Sequence, residues 1–327
     1  MDIFFFAQKI ADFVSYNMFA LAPNTHLADA VNFFIYDSIK IIILLLVITQ
    51  IMTFINIILP VEKIRYFLNT KKLYGLEYFF ASLFGAITPF CSCSSIPLFI
   101  GFLKGGIPLG ITFSFLITSP LINEVALAMF LGIFGLKVTL IYLFSGIILG
   151  MIGGFILGKL GLEKYVEDFV LNIIKNNSKN NTEVTKEKKN WKKIWKNSSK
   201  EGLNITKKIM PYVLIGIGIG AFIHGYVPQG FFEKYITSDN PFAVPISVVL
   251  GIPMYANATS IIPIMESLID KGVPLGTGLS FMMAVIGLSL PEFLILKKVM
   301  KTKLLLIFFG LIGIFIIILG YFFNVVL

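Results

Sequence analysis

The chain is poor in the residues that most soluble chemistry uses. It has two histidines, two tryptophans and two cysteines in 327 residues, and only 14% of its side chains are charged. Two cysteines two positions apart build no disulfide framework. Gly-x-Ser-x-Gly and His-Glu-x-x-His are both absent, and with them the signatures of two large hydrolase classes. No phosphate-cradling glycine loop is present either, so any energy coupling is expected through an ion gradient or a partner. No enzyme activity and no cofactor are expected. Acidic residues are outnumbered, 18 against 27 Lys and Arg, but the excess is local. Residues 163–208 carry 12 lysines against 6 acids, about two thirds of the net charge of +9. The basic balance is thus a loop property, and nucleic-acid binding is not expected from it. At the N-terminus, Met1-Asp2-Ile3-Phe4-Phe5-Phe6 lacks a basic region and a small-residue cleavage signature, so no removable signal peptide is expected.

What remains is apolar. Hydrophobic residues make up 57% of the chain and the mean hydropathy is +0.87, values a soluble domain of this size does not reach. The lipid bilayer is therefore the expected environment. Long apolar runs cover about 31–59, 74–103, 107–136, 138–161, 205–227, 241–299 and 303–325, and several are interrupted by proline and small polar residues. Residues 2–22, with Lys9 and Asp12, read either as an interfacial helix or as an extra span. Trp191 and Trp195 with their lysine neighbours read as a helix on the membrane surface.

The interruption that organises the rest is Thr88-Pro89-Phe90-Cys91-Ser92-Cys93-Ser94-Ser95-Ile96-Pro97. Each proline removes a backbone donor, and Pro97 disfavours helix at Ile96, so the expectation is a broken helix with a new one opening at Pro97. Broken backbone at membrane depth is tolerated only where protein or a water-filled cavity covers it. A thiol-bearing break is a candidate substrate site. Cys91 and Cys93 are soft ligands suited to soft metals and metalloids. Ser92, Ser94 and Ser95 are placed to cap or line the same site, and a helix N-terminus lowers a thiol pKa. The competing reading is that cysteine is a small apolar residue that packs well in a turn.

A second break, Pro253-Met254-Tyr255-Ala256-Asn257-Ala258-Thr259-Ser260, has no cysteine. Tyr255, Asn257, Thr259 and Ser260 would make its half of a pseudo-symmetric site one of oxygen and amide groups. The alternative is that these side chains satisfy freed backbone groups. The two breaks belong to an internal repeat. A shift of 166 aligns Ser94, Ile96, Pro97, Gly106, Pro108, Leu109, Gly110, Ser114 and Phe115 with identical residues, nine in 22 positions. Asn123 and Glu124 follow the Pro120 interruption and Glu292 follows Pro291; after a two-residue adjustment Glu124 aligns with Glu292. An intramembrane carboxylate is by default a functional candidate, here for ion coupling. For Glu292 the competing placement is the interface, five residues before Lys297. His224, alone at a span end, reads as an interfacial histidine.

Charge suggests that the repeats are inverted. Residues 61–73, 163–208 and 297–303 are basic and expected inside; 229–240 and Lys137 are expected outside. The expected architecture is an all-α polytopic membrane protein of two inverted repeats, each with a re-entrant hairpin and a broken helix. Its parts are 1–30 as an N-terminal interfacial or membrane helix, 31–162 as the first repeat, 163–204 as a Lys-rich cytoplasmic linker and 205–327 as the second repeat.

Over about residues 37–326, outside the Lys-rich loop, the chain resembles a predicted-permease family that includes the organoarsenical efflux permeases. The likeness rests on Pro89-Phe90-Cys91-Ser92-Cys93-Ser94-Ser95-Ile96-Pro97 with Gly105-Gly106-Ile107-Pro108-Leu109-Gly110. In the second half it rests on Gly251-Ile252-Pro253-Met254-Tyr255-Ala256, Lys271-Gly272-Val273-Pro274-Leu275-Gly276 and Leu288-Ser289-Leu290-Pro291. The resemblance implies a multi-pass inner-membrane permease exporting trivalent, often methylated or aromatic, arsenicals. Some relatives carry a cysteine in the second-half motif; this chain has none there, so only two thiols are offered. That suits valence. A monomethyl or aryl As(III) has one position held by carbon and two open to thiolates, whereas inorganic As(III) has three. Three alternatives stay open: a permease for another small solute or anion held at helix N-termini, an intramembrane thiol oxidoreductase, and, as to partners, a homo-oligomer.

Overall fold

In a computed structural model the described residues are 5–23, 25–58, 75–88, 92–104, 106–122, 124–167, 240–254, 258–270 and 272–327, with scattered positions between 203 and 221. Among them the regular structure is helical, apart from one isolated antiparallel bridge between Val166 and Met300. The helices run in chain order as α1 Phe5–Asp12, α2 His26–Ile58, α3 Leu76–Ile87, α4 Ser92–Lys104, α5 Leu109–Leu121, α6 Glu124–Ile133 and α7 Gly135–Lys159. After the Lys-rich linker come α8 Ala243–Gly251, α9 Ala258–Asp270, α10 Leu275–Gly287, α11 Leu290–Leu296 and α12 Thr302–Val326. A π-helical turn, Phe13–Met18, extends α1.

Length decides which of these can cross a bilayer. At about 1.5 Å per residue, a helix needs roughly 20 residues to span ~30 Å of hydrocarbon. Among the described residues α7 and α12, at 25 residues each, and the 22-residue stretch Leu275–Leu296 qualify by length and apolar content. The pair α5 and α6 qualifies jointly and is bent by 48° at its break. The exposed surface of the long helices is itself apolar. On α7, Leu140, Phe144, Ile148, Ile152 and Phe155 form an exposed stripe at intervals of three and four residues. A helix that shows such a stripe outward is solvated by lipid, not water.

The opposite face of α7 is made of glycine. Gly146, Gly150, Gly154 and Gly158 recur every fourth residue; the last three let the backbone of α5 approach closely and Gly146 makes room for the Ile122 side chain, the small-residue packing that drives helix association in lipid. A Cβ built on Gly110 of α5 would lie 2.7 Å from the Gly158 Cα and 2.8 Å from the Gly154 carbonyl oxygen. α3 packs on α5 in the same way: a Cβ on Gly85 would lie 2.9 Å from the Phe115 carbonyl oxygen.

The chain divides into two compact units. One comprises residues 1–44, 210–295 and 312–327; the other comprises 45–209 and 296–311. Each contains its own version of the same packing. In the first unit a Cβ on Gly276 would meet the Asn324 backbone at 2.5 Å, one on Gly320 would lie 2.9 Å from the Ser280 Cβ, and one on Gly251 3.1 Å from the Phe281 carbonyl oxygen. These are the positions of Gly110, Gly154 and Gly85 shifted by 166. The helix boundaries follow the same shift: α4 and α9, and α5 and α10, begin and end 166 residues apart, and α6 and α11 begin 166 apart. The repeated sequence therefore folds into repeated local structure.

Two details differ from expectation. Pro97 does not open a helix; α4 begins five residues earlier, at Ser92. The first four N–H groups of a helix have no intrahelical acceptor, so a proline in sixth position costs a single bond, the one to the Cys93 carbonyl. The interruption at Ser289-Leu290-Pro291 is also milder than its first-half counterpart after Pro120: Leu275–Leu296 behaves as one 22-residue span, whereas the first-half pair bends.

Candidate functional site around the thiol-bearing break

Cys93 is the second residue of α4 and Ser92 the first, so this thiol stands in the opening turn of a helix. Cys91, which immediately precedes the helix, lies outside the described residues, as do Asn123, Tyr255, Asn257, His224, Trp191 and Trp195. The side chains of Ser92, Cys93, Ser94, Glu124, Thr259 and Ser260 do too. The backbone still places them. Thr259 and Ser260 are the second and third residues of α9, the positions Cys93 and Ser94 hold in α4. At one and the same helical position, the first half carries a thiol and the second a hydroxyl. Pro263 stands sixth in α9 as Pro97 does in α4, so the carbonyls of Cys93 and Thr259 both lose their i+4 donor. Each is a backbone oxygen that the helix ladder leaves for another partner.

Ser95 is described in full. It is completely buried, and its Oγ shares a hydrogen bond of 2.9 Å with the Oγ of Ser119 on α5. The thiol-bearing helix is thus tied to the broken helix just before Pro120. The equivalent second-half positions are Ile261 and Val285, both buried and apolar, so the tie belongs to the first half alone. Ser119 was legible in the sequence only as part of an interruption.

The break itself is braced by a residue the sequence reading did not single out. Tyr142 on α7 is buried, and its hydroxyl donates to the Leu121 carbonyl at 2.6 Å, at the last residue of α5. Its ring packs edge-on against Phe130 of α6, with centroids 4.8 Å apart. One side chain therefore holds both arms of the break. The hydrogen bond satisfies one of the carbonyls a helix C-terminus leaves over, as a buried span end requires.

Glu124 is the first residue of α6. Glu292 is not at an exposed interface: it is only 4% accessible, while Lys297 is exposed. Nor are the two glutamates equivalent. α6 and α11 start 166 residues apart, so Glu292, third in its helix, corresponds to buried Ala126 and not to Glu124. The two-residue adjustment in the alignment has no insertion to account for it. Cys93, Ser95, Ser119, Glu124 and Tyr142 belong to one compact unit, and Thr259, Ser260 and Glu292 to the other.

The sequence profile of a family described as a predicted permease matches residues 26–325. The chain belongs to that predicted permease family. Two relatives carry the same kind of designation. UPF0718 protein MJ0584 of Methanocaldococcus jannaschii is 28% identical over 131 residues, 40% of this chain and 36% of the relative. UPF0718 protein YcgR of Bacillus subtilis is 30% identical over 81 residues, 25% of this chain and 28% of the relative. The matched segments thus span about a third of each relative's length. No solved structure matches the chain. As a permease of this family the protein is a membrane protein with transmembrane helices, and its expected role is transport.

Proposed function

We propose that this permease exports trivalent organoarsenicals, or closely related soft metalloids, across the cytoplasmic membrane, binding them between Cys91 and Cys93. The observation that carries the reading is the place of Cys93 in the opening turn of α4, a helix that starts in the middle of an interrupted apolar region, with Cys91 two positions before it in the sequence. Two thiols at a helix N-terminus form a soft, bidentate site for an As(III) that already bears one carbon substituent. The abundant Phe and Ile side chains around the break suit the organic group. Glu124 and Glu292 are the candidates for coupling export to a proton or other ion gradient. Two inverted repeats are the architecture this mechanism uses, with the repeated helix boundaries as support.

The test is survival and export in arsenical-sensitised cells expressing Cys91→Ser and Cys93→Ser. Serine keeps the size and hydrogen bonding of cysteine, so expression and insertion are expected to be normal. Each single variant is expected to lose most of its binding of methyl-As(III), since a chelate reduced to one sulfur loses a bond and its effective-concentration advantage. Binding should also weaken as pH falls, because protons compete for the thiolate. Full resistance in both single variants refutes the site and favours a different solute.

A further inference from the structure

A dense basic cluster gathers where two spans leave the membrane. α7 ends at Lys159, and the short 3-10 turn Glu163–Tyr165 follows; α12 begins at Thr302. The two connecting segments are clamped together. Val166 and Met300 form an antiparallel bridge, the Glu167 N–H donates to the Val299 carbonyl at 2.9 Å, and the Lys301 N–H to the Tyr165 carbonyl at 2.8 Å. The clamp brings two ammonium groups onto one ring: Lys164 Nζ lies 5.2 Å and Lys303 Nζ 5.1 Å from the Tyr165 centroid. Lys297, Lys298 and Lys301 are on the same short connection, so among the described residues of the two segments five lysines stand against two acids, Glu163 and Glu167. The first turn of α12, which carries Lys303, contains no acidic residue.

The Tyr165 hydroxyl is held below its ordinary range, first by its hydrogen bond with Lys303 and further by the charge of Lys164 and Lys303. Positive charge therefore converges on one point. Along the chain the cluster is flanked by exposed apolar side chains, Leu160 just after α7 and Leu306 in the second turn of α12. Clustered positive charge beside exposed hydrocarbon is the chemistry of a lipid with an anionic headgroup.

We propose that Tyr165, Lys164, Lys301 and Lys303 form a binding site for the phosphodiester headgroup of an anionic phospholipid. Its occupant bridges the segment after α7 and the segment before α12 and holds the clamp closed. A free phosphate shares the headgroup chemistry, but the apolar flanks favour a lipid. The proposal stands on this cluster and does not depend on what the permease carries.

The test uses the full-length protein in nanodiscs that mix phosphatidylglycerol and phosphatidylcholine, with retained lipid counted by native mass spectrometry. The wild type is expected to retain phosphatidylglycerol over phosphatidylcholine by about fivefold, as attraction between clustered lysines and an anionic headgroup allows. Lys164→Gln with Lys303→Gln should bring the ratio near unity. Lys164→Arg with Lys303→Arg should keep it, which guards against loss of fold. Lys186→Gln with Lys188→Gln, which removes the same charge elsewhere in the linker, should leave it unchanged. Equal retention of the two lipids by the wild type overturns the proposal, as does an unchanged ratio in the Gln pair. Displacement of the lipid by millimolar inorganic phosphate overturns it too, in favour of a soluble anion.

Discussion

Gly110→Ala tests whether the close approach of α5 and α7 is a requirement of the fold. The added methyl would sit 2.7 Å from the Gly158 Cα, 2.8 Å from the Gly154 carbonyl oxygen and 3.1 Å from the Tyr78 ring. The first two are backbone atoms of a packed helix and cannot rotate away. Ordinary carbon contacts lie near 3.5–4.0 Å, so the helices must separate by about 1 Å. Overpacking of this kind costs about 1–3 kcal/mol. Alanine recovers about 0.5–1 kcal/mol because glycine is the poorer helix former. The net expectation is a loss of about 1 kcal/mol, the difference between the middles of those two ranges. Gly310 on α12 is the internal control, since a Cβ there meets nothing within 4 Å and only the helix gain remains. Thermal unfolding in detergent, followed by intrinsic fluorescence, reads both. Gly110→Ala should lower Tm by a few degrees, at roughly 2–4 °C per kcal/mol, while Gly310→Ala should leave it level or raise it. If the two variants shift Tm in the same direction, the glycine stripe is not the packing surface described here. The second-half counterpart, Gly276→Ala, should behave like Gly110→Ala, because the Asn324 backbone stands in the same relation to it.

Because Glu292 is buried and not interfacial, Glu292→Gln is expected to impair pH-dependent transport together with Glu124→Gln; wild-type transport and pH profile in both variants would assign the two carboxylates to structure alone. Cysteine-accessibility tagging at Lys186 and at Asp239 should label from opposite sides of the membrane, as basic and acidic loops of inverted halves require; labelling from one side would remove the inverted arrangement.

The sequence by itself determined where the chain is interrupted and that it repeats. Proline and glycine act locally, on their own φ angle and their own N–H, so the interruptions between α3 and α4 and after α8 were legible at Pro89 and Pro253, whereas Pro97 and Pro120 are carried inside α4 and α5. The shift of 166 read from shared Gly, Pro and Ser positions reappears in the boundaries of α4, α5, α9 and α10. The Cys-x-Cys pair was legible for the same reason, as a short motif at an interruption. The start of α4 was misread at Pro97, because a helix tolerates proline within its second turn when only one bond is lost. The pairing of Glu124 with Glu292 was a second misreading: letters in an alignment carry no helical phase, whereas the starts of α6 and α11 do.

Tertiary structure alone decided the rest. Ser95 meets Ser119 across 24 residues, and Tyr142 meets Leu121 across 21. Neither contact has a local pattern, since which apolar helix lies against which is set by the fit of small residues on the facing helix. The burial of Glu292 is of the same kind. Five residues from Lys297 reads as an interface along the chain, but the accessibility of a side chain depends on what other helices cover it, and that is settled by packing.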